Sequence, residues 1–198
     1  MRLGLRDMVF LQKKQRIFKS GIAISCVAAS GDILRGKEKH FGDCIIKMKA
    51  TLLGPSFIEE DGEWHTLHSF NIAYRLQRAD VVLDPHHFLG SEWINEMEGY
   101  VAWFYPEQTE ISIGCEVARI RAGALETLAV DTHQFKAYKP FELTITLIDK
   151  EQRLVLVQDH RKVIDLQVFD GAFQFGFIGF YTPLNVFIMI DEFKVEEP

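Results

Sequence analysis

Two carboxylates, Glu96 and Glu98, have the spacing that most directly suggests chemistry. On an extended strand, side chains at positions i and i+2 share a face, and their Cα atoms lie about 6.5–7 Å apart. Glycosidases hold their two carboxyl groups about 5–5.5 Å apart for retention or about 6.5–9.5 Å apart for inversion, so the pair fits cleavage of a glycosidic bond. The alternative interpretation is a pair of solvated acids at the start of a strand, which is common at sheet edges.

A second group of residues has the types that bind zinc, and it lies in polar, turn-rich sequence. Its members are His65, His68, Asp84, His86 and His87. The His65-x-x-His68 spacing matches no established zinc pattern, and the adjacent His86 and His87 would point to opposite faces of an extended chain. We therefore expect no metal site. No glycine-rich phosphate-binding motif occurs either, so we expect no nucleotide or other cofactor.

Aromatic residues near these groups are candidate platforms for the apolar face of a sugar ring. Trp64 and Trp93 lie in polar, turn-rich context, which predicts exposure, and either of them could instead anchor a protein interface. Trp103 alternates with Val101 and Tyr105, a pattern that favours burial. The predicted ligand-binding residues are therefore Trp64, His65, His86, His87, Trp93, Glu96, Glu98 and Tyr100.

The elements that must position these residues follow from a period-two alternation of apolar and polar side chains. The alternation is cleanest over residues 109–117 and 141–148. A polar turn at 149–152 and a second alternating run at 153–157 predict a hairpin. The same period predicts further strands over residues 44–52, 70–76, 173–177 and 186–195.

Two irregular stretches carry most of the candidate residues, at 53–66 and at 77–97. Long loops in compact domains are often functional, and the two stretches would form one site if they lie at the same edge of the fold. A turn or two of helix fits only residues 53–62 and 91–98. Eight to ten short strands without helical segments between them predict an all-β fold, an antiparallel β-sandwich.

The length of 198 residues, of which 47% are hydrophobic, supports one sizeable core. We expect a single domain over residues 20–198, preceded at 1–19 by a basic extension or a first strand. The apolar segment at 21–29 is too short and too interrupted for a signal peptide, and a first strand explains it better. No apolar run approaches the ~20 residues of a membrane span, so we expect a soluble protein without membrane contact.

Charge and cysteine usage bear on partners and location. The net charge is −6, although the first 40 residues are basic, and we expect no nucleic-acid partner. Lys47, Lys49 and Arg75 fall on polar strand faces and predict a modest basic stripe. Three cysteines cannot all pair within one chain, and none lies in a C-x-x-C unit, so we expect free thiols and a cytoplasmic location.

The C-terminal sequence resembles a known fold family. Gly-Phe-Ile-Gly-Phe-Tyr at 176–181, followed by Asp-Glu-Phe-Lys-Val at 191–195, resembles the closing strands of concanavalin A-like lectin/glucanase (LamG-like) domains. The resemblance implies a jelly roll of two curved antiparallel sheets, whose concave face often binds a glycan or another partner. Laminarinase-type members carry an E-x-D-x-E strand, whereas residues 96–98 supply two carboxylates without the central Asp or the third acid.

We therefore expect a non-catalytic, cytosolic binding or regulatory protein that takes a protein partner or a carbohydrate. By analogy, its role would lie in the regulation of carbohydrate metabolism. The alternative is a carbohydrate-active enzyme, a glycoside hydrolase or polysaccharide lyase, that uses Glu96 or Glu98 as acid or base. A third interpretation is a module of a secreted polyprotein, against which the unpaired cysteines and the initial Met1 count.

Overall fold

The fold is described by a computed structural model over residues 17–19, 41–53, 56–60, 63–67, 69–77, 97–107, 111–181 and 187–198. These residues form thirteen strands, and no helix occurs among them. In chain order the strands are β1 Ile17–Lys19, β2 Cys44–Leu53, β3 Ser56–Glu60, β4 Glu63–Leu67, β5 Phe70–Leu76, β6 Gly99–Phe104, β7 Cys115–Arg121, β8 Ala124–Asp131, β9 Pro140–Ile148, β10 Glu151–Gln158, β11 Arg161–Phe169, β12 Phe177–Tyr181 and β13 Phe187–Glu196. No helix within these ranges is long and apolar enough to cross a membrane.

Two antiparallel sheets form a sandwich, which confirms the predicted all-β class. One sheet has six strands in the order β1-β13-β2-β9-β10-β11, and the other has five in the order β12-β5-β6-β7-β8. A separate hairpin joins β3 to β4. The short strand β1 lies within the predicted N-terminal extension and pairs with β13.

Aromatic side chains join the two sheets at the centre of the core. Phe70 of β5 stacks on Phe104 of β6, with ring centroids 4.7 Å apart, and on Phe141 of β9 in the opposite sheet, at 5.2 Å. Phe135 meets Phe70 edge-on at 5.9 Å. All four rings are buried. Burial of large apolar side chains on both inner faces supplies the main driving force for folding.

The strand predictions hold best where the turns are short. The predicted hairpin is present as β9 and β10, paired in unbroken register from Glu151 opposite Ile148 to Gln158 opposite Phe141. Alternation predicted a strand over 109–117, but β7 begins only at Cys115. Just before it, a Cβ at Gly114 would lie 1.8 Å from the carbonyl oxygen of His133, so the chain passes another backbone segment there.

Two further expectations need correction. The stretch at 53–62, where a turn or two of helix was expected to fit, contains strand β3. The predicted loop at 53–66 is largely the β3–β4 hairpin. In β5, Arg75 does not belong to a polar outer face, because one extra residue in this strand forms a bulge opposite β12. Arg75 has a positive φ of 51° and is 1% exposed.

The strands β8 and β11 end their respective sheets and lie beside each other at one side of the sandwich. Asp131, the last residue of β8, accepts a hydrogen bond at its Oδ2 from the backbone N–H of Asp165 in β11, at 3.1 Å. Its Oδ1 accepts from the backbone N–H of His133, at 2.9 Å. One carboxylate therefore joins an end strand of each sheet.

Candidate functional site

The candidate site lies on the outer face of the five-stranded sheet, where strand register aligns three functional side chains. Asn71 of β5 pairs with Trp103 of β6, and Trp103 pairs with Glu116 of β7. Their strand neighbours Phe70 and Phe104 point into the core. Because side chains alternate between the two faces of a strand, the row Asn71–Trp103–Glu116 points outward.

Exposure increases along this row from β5 towards β8. Asn71 is 0% exposed and Trp103 is 9% exposed. Glu116 is half-buried, while Thr127 of β8 is exposed and Val130, paired with Glu116, is 44% exposed. The outer face is thus closed over β5 and open over β8, with the indole of Trp103 at the transition.

A hydrogen bond fixes the carboxylate at the open end of the row. Thr127 donates its hydroxyl to Oε1 of Glu116, at 2.6 Å. Burial raises the pKa of the nearby Tyr105 phenol, and the negative charge of Glu116 raises it further. Glu116 therefore acts as an oriented hydrogen-bond acceptor beside two aromatic side chains.

The closed end of the row contains an unusual polar group. Neither the side-chain oxygen nor the side-chain nitrogen of Asn71 has a hydrogen-bond partner among the residues that the structure describes. Buried amides are normally paired, because an unpaired buried polar group costs about 1–3 kcal/mol of stability. The position thus carries a destabilising side chain in the free protein.

Together these groups have the chemistry of a polyol-binding surface. An indole provides apolar contact area, a carboxylate accepts hydrogen bonds, and an amide both donates and accepts them. Among the described residues of β5 to β8, Glu116 is the sole charged side chain that strand alternation places on this face. Within the described ranges, no group of three or more His, Cys, Asp or Glu residues could hold a metal ion.

The predicted basic stripe does not form. Arg75 lies at one end of the sandwich and donates from Nη1 to the backbone carbonyls of Asp149, at 2.8 Å, and Phe173, at 3.1 Å. Lys47 and Lys49 lie on the outer face of the other sheet. There they pair with carboxylates, Lys49 with Glu142 at 2.8 Å.

The outer face of the six-stranded sheet has two shallow grooves of about 260 and 320 Å³ that meet at Lys49 and Glu142. The first groove is polar, and ion pairs within the chain occupy its lysines. Lys47 binds Glu196 at 2.6 Å, and Lys194 binds Glu192. Exposed ion pairs of this kind contribute little to stability, and the groove contains no aromatic side chain for a sugar ring.

Four of the eight predicted ligand-binding residues lie outside the described part of the chain. His86, His87, Trp93 and Glu96 fall there, so the predicted carboxylate pair with Glu98 stays a prediction. Glu98 itself is exposed, just before β6. Trp64 and His65 lie in β4, opposite Glu59 and Ile58 of β3, where the structure describes the backbone only.

The interpretation of Tyr100 as a sugar platform requires correction. Tyr100 points into the core and is 0% exposed, with its ring 5.6 Å from those of Tyr74 and Phe173. Its hydroxyl donates to Oδ1 of Asp170, at 2.5 Å. Burial, together with this hydrogen bond, raises its pKa to about 12. Tyr100 is therefore a structural residue that anchors the chain after β11.

Sequence reasoning did not assemble Asn71, Trp103, Glu116 and Thr127. Each lies on a strand whose alternation is readable, but their proximity depends on the register among four strands. The signal available was the polar residue at an outward position of an apolar strand, as at Asn71 and Glu116. Trp103 was expected to be buried, and it is.

Comparison with known proteins places the fold. The chain matches no protein-family model and no curated protein sequence. Among solved structures it is similar to the carbohydrate binding module CBM66 from Bacillus subtilis, with 14% identity over 81% of this chain and 78% of that chain, and a TM-score of 0.54. It is also similar to a Bacillus subtilis protein of unknown function with a galectin-like fold, with 13% identity, coverage of 80% and 74%, and a TM-score of 0.55.

A third similar structure is the exoplasmic/lumenal domain of VIP36 in its Ca²⁺/Man3GlcNAc-bound form, with 12% identity, coverage of 80% and 70%, and a TM-score of 0.50. At these identities the likeness concerns the fold. It confirms the resemblance to concanavalin A-like, jelly-roll domains.

Proposed function

We propose that this domain binds a carbohydrate on the outer face of its five-stranded sheet. The open part of the row forms the binding surface. Glu116 accepts hydrogen bonds from sugar hydroxyls, Thr127 holds Glu116 in place, and the exposed 9% of Trp103 adds a small apolar border to this surface. The observation that carries the proposal is the alignment of Trp103 with Glu116 in neighbouring strands, beside the exposed strand β8.

The fold supports the same conclusion. Two of the similar structures are described as a carbohydrate binding module and as a domain with Man3GlcNAc bound. Fold alone does not determine function, so the proposal depends on the chemistry of the row. An aromatic side chain beside a fixed hydrogen-bonding group is a common arrangement in small-molecule sites.

The test is binding of the purified protein to a glycan array, followed by calorimetric titration of the sugars that bind. Glu116→Gln replaces a charged acceptor with a neutral amide. Hydrogen bonds to charged groups contribute about 1.5–3 kcal/mol, so affinity should fall by about tenfold or more. Thr127→Val, which releases Glu116, should weaken binding in the same direction.

Glu142→Gln is the matched control, because Glu142 is another strand glutamate with a side-chain partner, Lys49, but lies on the other sheet. Its affinity for the same sugars should equal that of the wild type. Absence of any sugar on the array that binds the wild type would refute the proposal. Equal losses in the Glu116 and Glu142 variants would refute the location.

We further propose a reducing, cytoplasmic location. The supporting observation is that Cys44 and Cys115 are both free and buried. Burial raises the pKa of the Cys44 thiol to about 11 and that of Cys115 well above its usual range. Such thiols are unreactive while the protein is folded, but they would be open to mispairing during folding in an oxidising compartment. Fractionation of the native cell tests this location.

A further inference from the structure

The row of side chains that ends in Glu116 begins with the buried amide of Asn71. Asn71 pairs with Trp103 on one side and with Tyr181 of β12 on the other, in the interior of the sheet. Both of its side-chain polar atoms lack a partner in the described structure, and the residue is 0% exposed. A leucine of similar size would fill the position without an unpaired amide.

An unpaired amide next to a binding surface is the pattern expected of a residue retained for its ligand. Active and binding sites often contain side chains that lower the stability of the free protein, and their replacement then raises stability while function is lost. The amide of Asn71 has two N–H donors and one carbonyl acceptor. This set matches neighbouring hydroxyl groups on a sugar ring, which also donate and accept.

The charge of this surface also limits which class of sugar can bind to it. Glu116 is the charged side chain on this face of the described strands, and strand alternation places no lysine or arginine there. Arg75, the cation in β5, faces the opposite sheet and is bound to the carbonyls of Asp149 and Phe173. A uronate or sialate carboxylate would therefore meet a negative charge with no compensating cation on the described strands, which disfavours its binding.

We infer that Asn71 is a specificity-determining residue of this surface, that its amide hydrogen-bonds hydroxyl groups of the ligand, and that the ligand is a neutral rather than an acidic sugar. The inference rests on the proposed carbohydrate-binding function. Asn71 is sealed from solvent in the free protein, so its amide must become exposed when the ligand binds. The inference also assigns the ligand class.

The first experiment compares Asn71→Leu with the wild type in two measurements. Thermal unfolding without sugar should show a rise in Tm of about 2 °C or more, because the unpaired amide is gone. Titration with the sugar that binds best on the array should show at least tenfold weaker binding. Thr144→Val, a polar-to-apolar change on the outer face of the six-stranded sheet, is the control and should leave the affinity unchanged.

A rise in Tm with unchanged affinity would overturn the role of Asn71 while the proposed function stands. A fall in Tm would show that the amide is structural, and it would also overturn the role of Asn71 in ligand binding. If Asn71→Leu does not fold, Asn71→Ala is measured in the same way, and failure of both variants to fold counts against the inference. Absence of sugar binding by the wild type would instead refute the proposed function itself.

The second experiment uses sugar pairs in which a carboxylate replaces one hydroxymethyl group: glucose and glucuronate, and galactose and galacturonate. The wild type should bind the neutral member of each pair at least tenfold more tightly. In Glu116→Gln this preference should shrink, because the repelling charge is removed. Equal binding of neutral and acidic members by the wild type would overturn the assigned ligand class.

Discussion

Tyr74 in the five-stranded sheet donates its hydroxyl to Oε1 of Gln152 in the six-stranded sheet, at 2.9 Å. Both residues are 0% exposed. Gln152 in turn donates from Nε2 to the backbone carbonyl of Asp170, at 3.2 Å. A chain of hydrogen bonds thus crosses the core between the sheets and reaches the segment that follows β11. Such a buried chain fixes how the two sheets are placed relative to each other.

Tyr74→Phe should lower the free energy of unfolding by about 1–3 kcal/mol, because it leaves the buried oxygen of Gln152 without its donor. Urea unfolding monitored by circular dichroism measures the change. Tyr138→Phe is the control, since Tyr138 is 58% exposed and loses no buried contact. Equal stability of the Tyr74 variant and the wild type would contradict the bridging role.

Gly114→Ala should be strongly destabilising. A Cβ at this position would lie 1.8 Å from the carbonyl oxygen of His133, so the backbone must move at the start of β7. Forced overpacking typically costs about 1–3 kcal/mol and sometimes more. Gly42→Ala is the matched control, because no atom lies within 4 Å of its added Cβ. Similar midpoints of thermal unfolding for the two variants would contradict this prediction.

Stability should depend on pH through Asp165. Hydrogen bonds from Arg153 and Lys162 lower the pKa of its carboxyl to about 2 in the folded protein, against about 3.9 in an unfolded chain. A lowered pKa contributes stability above the unfolded value, and this contribution is lost as pH falls from about 5 to about 2. Asp165→Asn lacks this titrating carboxyl. The difference in the free energy of unfolding between wild type and variant should therefore disappear over that pH range.

The measurement for Asp165 is urea unfolding at several pH values, with and without added salt. The side chain is 34% exposed, so the difference between wild type and variant should be modest and should shrink at high ionic strength. A difference that stays constant from neutral to acidic pH would exclude the titration of Asp165 as its cause.

Cys44 and Cys115 should resist alkylation in the folded protein. Both thiols are at most 1% exposed, and burial raises their pKa values, so the reactive thiolate is scarce. Treatment with iodoacetamide, followed by peptide mass spectrometry, should find both unmodified in buffer and both modified in guanidinium chloride. Rapid labelling of either thiol without denaturant would show that the core opens readily.

The fold was predictable because alternation and short turns are local properties of the sequence. The hairpin of β9 and β10 has both, and it forms in the expected place. Arg75 was misplaced because a bulge shifts its side chain to the other face, and no local pattern announces the extra residue. Strand β7 starts late for a similar reason, since a tertiary contact of Gly114 with His133 overrides the alternation.

The site was far less predictable than the fold. Its side chains come from β5, β6, β7 and β8. Their alignment depends on which residues of neighbouring strands pair with each other. Tyr100 shows the limit of residue-type reasoning: an aromatic beside acidic residues suggested a ligand platform, yet its position on the inward face made it part of the core. No motif surrounds Glu116, so the local sequence does not mark it as a site residue.

The carboxylate of Asp131 has a consequence for how this protein behaves at high concentration. Strands at the end of a sheet expose amide groups that can recruit a strand from another molecule, which is how domain swapping and amyloid growth begin. The amide of Asp165 in β11 is already engaged by Asp131 from β8. The five-stranded sheet thus shields the edge of the six-stranded sheet at this point, and the molecule carries its own protection against self-association there.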